Sequence, residues 1–274
     1  MASEKLTAAA VQMVSSADLA GNLEVAGRLC EQAAGQGAQL VVLPEYFAFM
    51  GMKEVDKYPI VEEMGVGPIQ DFLATTAQSH GIWLVGGTIP IASDEPDRPW
   101  GRCLVYSPDG EYVSHFDKVH MFDVQVADNK GSYVESRNSK PGQNIAVVST
   151  PWAEVGLSVC YDLRFPELYR AEVDQGASCF VVPAAFTAKT GEAHWDLLLR
   201  TRAVENQCYL IASAQGGVHQ NGRRTWGRSC IVDPWGKVIA CHEEGEGIAT
   251  GTMDFGWLAQ LREEFPVLSH RVMG

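Results

Sequence analysis

Residues 39–43 read QLVVL, an uninterrupted apolar run of strand length. A strand apolar on both faces has to be covered on both faces, so this run places a buried sheet inside the chain. Further strand-like runs stand at 6–13, 83–88, 145–149, 156–159, 178–182, 209–213 and 248–253. Amphipathic stretches alternate with them. One is 19–34, with Asp18 placed to cap it and Gly35 to stop it. The others are 68–79, with proline in its first turn, and 166–174, 194–205 and 257–264. Two hairpins break the alternation. Residues 102–106 and 112–116 flank Ser-Pro-Asp-Gly, and 229–232 and 237–240 flank Asp-Pro-Trp-Gly. Segment 117–143 is long and polar. Units of βαβ type mixed with hairpins predict an α/β fold with mixed sheets. No change of composition marks a linker. The Pro-rich stretch 93–99 reads as an exposed loop, because apolar runs resume unchanged on both sides.

The chain has 274 residues, 46% of them hydrophobic, enough for one large core or two small ones, in one or two domains. Its formal net charge of −13 argues against nucleic acid and against an anionic membrane surface as partners. No apolar run approaches the roughly 18 residues of a membrane span. The start carries Glu4 ahead of its apolar part, unlike a signal peptide. The seven cysteines are scattered, with no Cys-x-x-Cys pair and no zinc spacing. Free thiols in a reducing, cytoplasmic compartment are expected, most of them as small core residues.

Three polar residues stand just after apolar strands. Glu45 follows VVLP, Lys118 follows the strand ending His115-Phe116, and Cys160 follows GLSV. Carboxyl ends of strands converge on one edge of an α/β sheet, where ligands bind, so an acid, an amine and a thiol can meet there. Cys160 sits in VCYDLRFPELYR, where a strand turns sharply toward a helix starting near Pro166. Such a turn exposes a nucleophile, and nearby helix-end amides favour a thiolate. His120 invites a Cys–His pair, but no papain-type signature surrounds Cys160, so His120 is read as structural or pocket-lining. His194 either caps a helix or lines the pocket. Arg164 either clamps a substrate carboxylate bidentately or pairs with an acid such as Glu167. Segment 183–195 forms the far wall, with Phe186 and Thr190 as substrate contacts.

The blocks LPEYF, HFDKVHMFD and VCYDLRFPELYR resemble, in order and separation, the three signatures of the nitrilase, or carbon–nitrogen hydrolase, superfamily. The resemblance runs from AVQM near the start to FPVLSHR near the end. It implies a single domain over 1–274, a four-layer α-β-β-α sandwich with two mixed sheets, and a homodimer packed α-face to α-face. It implies Glu45 as general base, Lys118 as oxyanion stabiliser and Cys160 as nucleophile, with Glu135 of SYVES as a second glutamate. The backbone N–H of Tyr161 is expected to join Lys118 at the oxyanion. No metal or organic cofactor is needed. RFPEL, TGEAHWDLLLRTRAVENQCY, ASAQGGVH and WGRSCIVDPWG resemble the branch containing deaminated glutathione amidase, and omega-amidase slightly less. The implied substrate is the amide of a small carboxylated 2-oxo acid, split through a thioester. A nitrilase proper, a carbamoylase and a non-enzymatic scaffold are the alternatives. The chain ends Val272-Met273-Gly274, where such chains often end His-Arg-Arg or His-Arg-Lys.

Overall fold

The computed structural model describes residues 4–128 and 131–273. Strand Lys5–Gln12 shows how the layers arise. Leu6, Ala8 and Ala10 belong to one apolar cluster, and Ala9 and Val11 to another. Leu40 and Val42 divide from Val41 and Leu43 in the same way. The period-2 alternation of strand side chains thus feeds two cores from one sheet. The outer core lies beneath helices Leu19–Gly35 and Pro68–His80, with Leu29, Leu73 and Ala77 buried. The inner core faces a second sheet, whose far side is covered by helices Pro166–Asp174 and Ala188–Asn206.

The first sheet runs in the order Gly247–Asp254, Lys5–Gln12, Leu40–Val42, Trp83–Val85, Trp100–Tyr106, Ile89–Ile91, and Tyr112–Asp117 also pairs with Trp100–Tyr106. The second runs Val238–His242, Ser229–Val232, Tyr209–Ala214, Cys179–Ala184, Glu154–Leu157, Val147–Ser149. Both are mixed, with parallel pairs at their centres and antiparallel strands at their flanks. This is the four-layer α-β-β-α sandwich expected from the sequence.

Several boundaries differ from expectation. Asp18 does cap the first helix, accepting from the Gly21 N–H at 3.2 Å. The helix runs through Gly35, however, and Gly37 (φ 84°) makes the left-handed turn beyond it. The helix expected at 194–205 begins at Ala188, so His194 lies inside it and caps nothing. Part of the reason is Gly191, where a Cβ would overlap the Trp226 side chain. The glycine reads as a breaker in sequence but serves close packing of helix on strand. Polar segment 117–143 contains a small hairpin, Asp123–Gln125 with Ser132–Val134.

One buried acid has no place in the site. Glu172 is fully buried, and neither carboxyl oxygen has a hydrogen-bond partner. Burial, then the charge of Asp162, pushes its pKa well above the usual carboxylate value. With the folded pKa raised, stability from this group is complete below the unfolded value and falls as pH rises toward the folded one. Glu172→Gln removes that titration. Its unfolding free energy should match the parent near about pH 4 and exceed it by roughly 1–3 kcal/mol near about pH 8. Denaturant melts at the two pH values check this, and parallel curves for the two proteins refute it.

Candidate active site

Glu45 and Lys118 stand at strand ends of the first sheet, and Cys160 follows strand Glu154–Leu157 of the second. The site therefore lies where the two sheets meet. Glu45 precedes Tyr46, a non-glycine residue in the left-handed region (φ 59°). Its turn is pressed against Gly87 (φ 55°), where any Cβ would overlap the Pro44 carbonyl oxygen. Tyr46 N–H donates to Thr88 Oγ1 at 3.0 Å, and Gln215 Nε2 donates to the Glu45 carbonyl at 3.0 Å. Lys118 is fixed through its backbone, donating to Gly101 O at 3.1 Å and accepting from Gly142 N at 2.8 Å. Cys160 opens the 3-10 turn Cys160–Arg164 and is itself left-handed (φ 51°). A β-carbon in that region carries strain that the surroundings must hold, a pattern common at functional turns.

Asp162 ties the parts together. Its fully buried carboxylate accepts from Val159 N at 3.0 Å, from His120 N at 2.9 Å and from His120 Nδ1 at 2.7 Å. The His120 ring stacks on Phe165 with centroids 3.6 Å apart. His120 thus fastens the Lys118 loop to the Cys160 turn, in the structural role read from the sequence.

The charged groups are close and dry. Lys118 Nζ donates to Glu45 Oε1 at 2.8 Å and to both oxygens of Glu135 at 2.9 Å. Glu45 is 2% exposed, Lys118 3% and Cys160 7%. Glu135 also accepts from Phe122 N at 2.7 Å and from Tyr46 Oη at 3.3 Å. Burial alone would lower the Lys118 pKa, but Glu135 and then Glu45 outweigh it and hold the ammonium well above its usual value. Glu45 Oε2 is buried without a hydrogen-bond partner of normal geometry. Burial, and next the negative charge of Glu45, push the Cys160 thiol well above the usual cysteine value, against the opposing pull of Lys118 and the Ala185 N–H. The shift runs against the thiolate that helix-end amides would favour. The turn is a short 3-10 segment whose amides do not outweigh burial beside a carboxylate, so the resting sulfur keeps its proton.

All eight residues singled out from the sequence line one cavity of about 480 Å³: Glu45, Lys118, Glu135, Cys160, Tyr161, Arg164, Phe186 and Thr190. Arg164 makes no ion pair with Glu167. Its guanidinium lies over the rings of Tyr161 (5.7 Å) and Phe186 (5.2 Å), and Nη1 is 3.2 Å from His194 Nδ1. Phe186 in turn packs on Trp195, with centroids 4.8 Å apart. The Thr190 hydroxyl is engaged with Thr187 Oγ1 at 2.8 Å, at the start of its helix. Sequence reasoning missed Tyr46, Glu54, Phe122, Tyr133 and Arg223 in the same lining, and placed Ala185 there only as part of segment 183–195. Tyr46, beside Glu45 in LPEYF, carried a local signal; Arg223, in the loop HQNGRRT, carried none that set it apart from Arg224.

Chemically, an acid, an ammonium and a thiol share one buried pocket beside the Arg164 guanidinium, which has no carboxylate partner among the described residues. Residues 7–263 match the family described as carbon-nitrogen hydrolase. The chain is 42% identical to a deaminated glutathione amidase of Synechocystis over 268 residues, 97% of each chain. It is 35% identical to an omega-amidase of Xenopus laevis, across 95% of this chain and 93% of that one. The fold superimposes on Saccharomyces cerevisiae Nit3, a member of branch 10 of the nitrilase superfamily, with a TM-score of 0.88 at 31% identity, covering 98% of this chain and 97% of that one. With the family matched from near its first strand to its last helix, the chain belongs to the carbon-nitrogen hydrolases, enzymes acting on C–N bonds other than peptide bonds.

Proposed function

We propose that this hydrolase cleaves the amide of a small carboxylated 2-oxo acid, deaminated glutathione being the type substrate, through a thioester on Cys160. The observation that carries the reading is the buried contact of Lys118 with Glu45 and Glu135 on the wall that also holds Cys160. Glu45 takes the thiol proton as sulfur attacks the amide carbonyl. A neutral resting thiol suits this order, because the proton leaves only as the new bond forms. The oxyanion is met by Lys118 Nζ and the Tyr161 N–H. Glu45 then protonates the departing amine, deprotonates the incoming water, and the acid product leaves. Glu135 touches no reacting atom in this scheme. It holds the ammonium at its post. Arg164, with no carboxylate partner of its own, binds the carboxylate of the acyl half.

The identity to the Synechocystis deaminated glutathione amidase supports this substrate class. The Xenopus relative keeps a second reading in view, an omega-amidase releasing ammonia from 2-oxoglutaramate. The test is mass spectrometry of the intact protein, quenched during turnover of each amide and followed by peptide mapping. An acyl adduct on the Cys160 peptide is expected. An adduct on another cysteine, or turnover with none, overturns the thioester route. Equal or faster turnover of a simple nitrile or an N-carbamoyl amino acid overturns the substrate class.

The chain is proposed to work as one domain, as a cytoplasmic homodimer. All seven cysteines are free, in keeping with a reducing compartment. Among the described residues no helix is long and apolar enough to cross a membrane. Leu197 and Val204, two turns apart on helix Ala188–Asn206, are 66% and 47% exposed, and Trp235 and Phe265 lie exposed with ring centroids 6.0 Å apart. That apolar α-face suits burial against a second copy. Sedimentation giving a particle of 29.9 kDa excludes the dimer.

A further inference from the structure

The cavity carries a second guanidinium that the proposed chemistry does not use. Arg223 lies on the loop between strands Gly216–Val218 and Arg224–Trp226. Its Nη2 donates to the Ala185 carbonyl at 2.6 Å. The guanidinium is held 6.0 Å from the Tyr46 ring and 5.8 Å from the Tyr133 ring. Its Nε is buried without a hydrogen-bond partner. No carboxylate among the described residues stands within ion-pair distance of it. A buried donor and an unneutralised charge facing one cavity are costly unless a ligand meets them.

The position of Arg223 says which half of a ligand it meets. Arg164 lines the inner cavity alone, whereas Arg223 lines both that cavity and a wider groove of about 2130 Å³. Tyr46, Glu54 and Tyr133 share this double position, so the four form the mouth between the two spaces. The groove is lined by Lys53, Lys57, Lys189 and Arg224 and by the acids Glu54, Asp128 and Glu192, so with Arg223 its cations outnumber its acids five to three. The acyl half stays bound to Cys160 after the first step and belongs inside. The amine must depart, and the groove is its way out.

We propose that Arg223 is a specificity residue that binds an anionic leaving group: an amine bearing its own carboxylate. This rests on the amidase reading and adds to it a second carboxylate site, distinct from Arg164. The ammonium of Lys118 and the guanidinium of Arg164 then serve the acyl half, and Arg223 serves the amine half.

The test uses the full chain and three amides of one 2-oxo diacid. The first has a cysteinylglycine leaving group with a free carboxylate, the second has the same dipeptide as its C-terminal carboxamide, and the third is the primary amide. In the parent protein kcat/KM is expected to be about 10–100-fold higher for the carboxylate than for the carboxamide, the worth of one charge-assisted contact. In Arg223→Gln that ratio should fall to near one, and Arg223→Lys should restore part of it. Arg164→Gln should slow both dipeptide amides alike and keep the ratio. A purely structural part for Arg223, through Ala185, would slow all three amides equally and leave the ratio intact, which overturns the proposal. So does a parent ratio near one, or parent turnover of the primary amide alone, although the amidase reading then stands. Failure of the parent on all three refutes the amidase reading itself. Should Arg223→Gln not fold, the ratio in Arg223→Lys and in the parent decides.

Discussion

Cys160→Ala is expected to abolish turnover, with kcat lowered by about 10⁵-fold or more. The size of the effect follows from what would remain. Lys118, Glu45 and Glu135 keep their contacts with one another without the sulfur, since these run between their own side chains. A pocket that still binds substrate and polarises its carbonyl has then lost only the atom that forms the covalent bond. Water in its place would have to attack an amide with no acyl intermediate to divide the barrier. The folded state should change little. Cys160 is buried, but its loss removes a single sulfur from the wall of an existing cavity. Single-turnover kinetics beside a thermal melt give the check. Activity within about 100-fold of the parent, in a variant with an unchanged melt, would remove the sulfur from the mechanism.

Lys118→Met carries the second large effect, and it strikes activity and stability together. Loss of one oxyanion donor costs about 10²–10³ in kcat. Stability suffers because Lys118 is the cation between two carboxylates, Glu45 buried and Glu135 partly so. Without it Glu45 and Glu135 face each other unneutralised, and breaking a buried ion pair from one side costs roughly 3–5 kcal/mol. In the variant one carboxyl responds by holding a proton, so its folded pKa lies above its unfolded value. The sign follows. That protein is least destabilised below about pH 4 and loses stability as pH rises from there. The parent shows no such loss from this ion pair at neutral pH, because the raised Lys118 pKa keeps the ammonium charged well past neutrality. Combining Lys118→Met with Glu135→Gln should recover part of the stability and none of the activity. Urea melts across the pH range, with kcat measured on the same preparations, separate the two losses. A single variant as stable as the parent would mean that the three groups are not coupled.

These effects concern residues that the sequence marked to different degrees. Glu45 and Cys160 were legible because each closes a buried apolar strand with a polar residue, a local contradiction that side-chain patterning exposes. Lys118 was legible mainly through the block HFDKVHMFD, since a lysine after a hairpin strand is otherwise an ordinary surface charge. Arg164 was visible, but its partner was not. The Glu167 alternative rested on nearness along the chain, and the stacking on Tyr161 and Phe186 places the guanidinium elsewhere. Helix Ala188–Asn206 was read as starting six residues late because Gly191 answers to Trp226 across the fold, not to its own neighbours in sequence.

Local chemistry, then, was enough to predict the mixed sheets and to mark Glu45 and Cys160 at strand ends, because periodicity and residue type act over a few residues; the four layers and Lys118 were read through the resemblance to a family. Tertiary structure alone decided the rest. Asp162 binding His120 brings the loop of Lys118 onto the turn of Cys160 across 42 residues. The neutral state of the Cys160 thiol and the placing of Arg223 at the cavity mouth depend likewise on burial and on charges arriving from distant strands. Electrostatics in a dry pocket is set by what lies within a few ångströms in space, and the order of residues along a chain does not contain that distance.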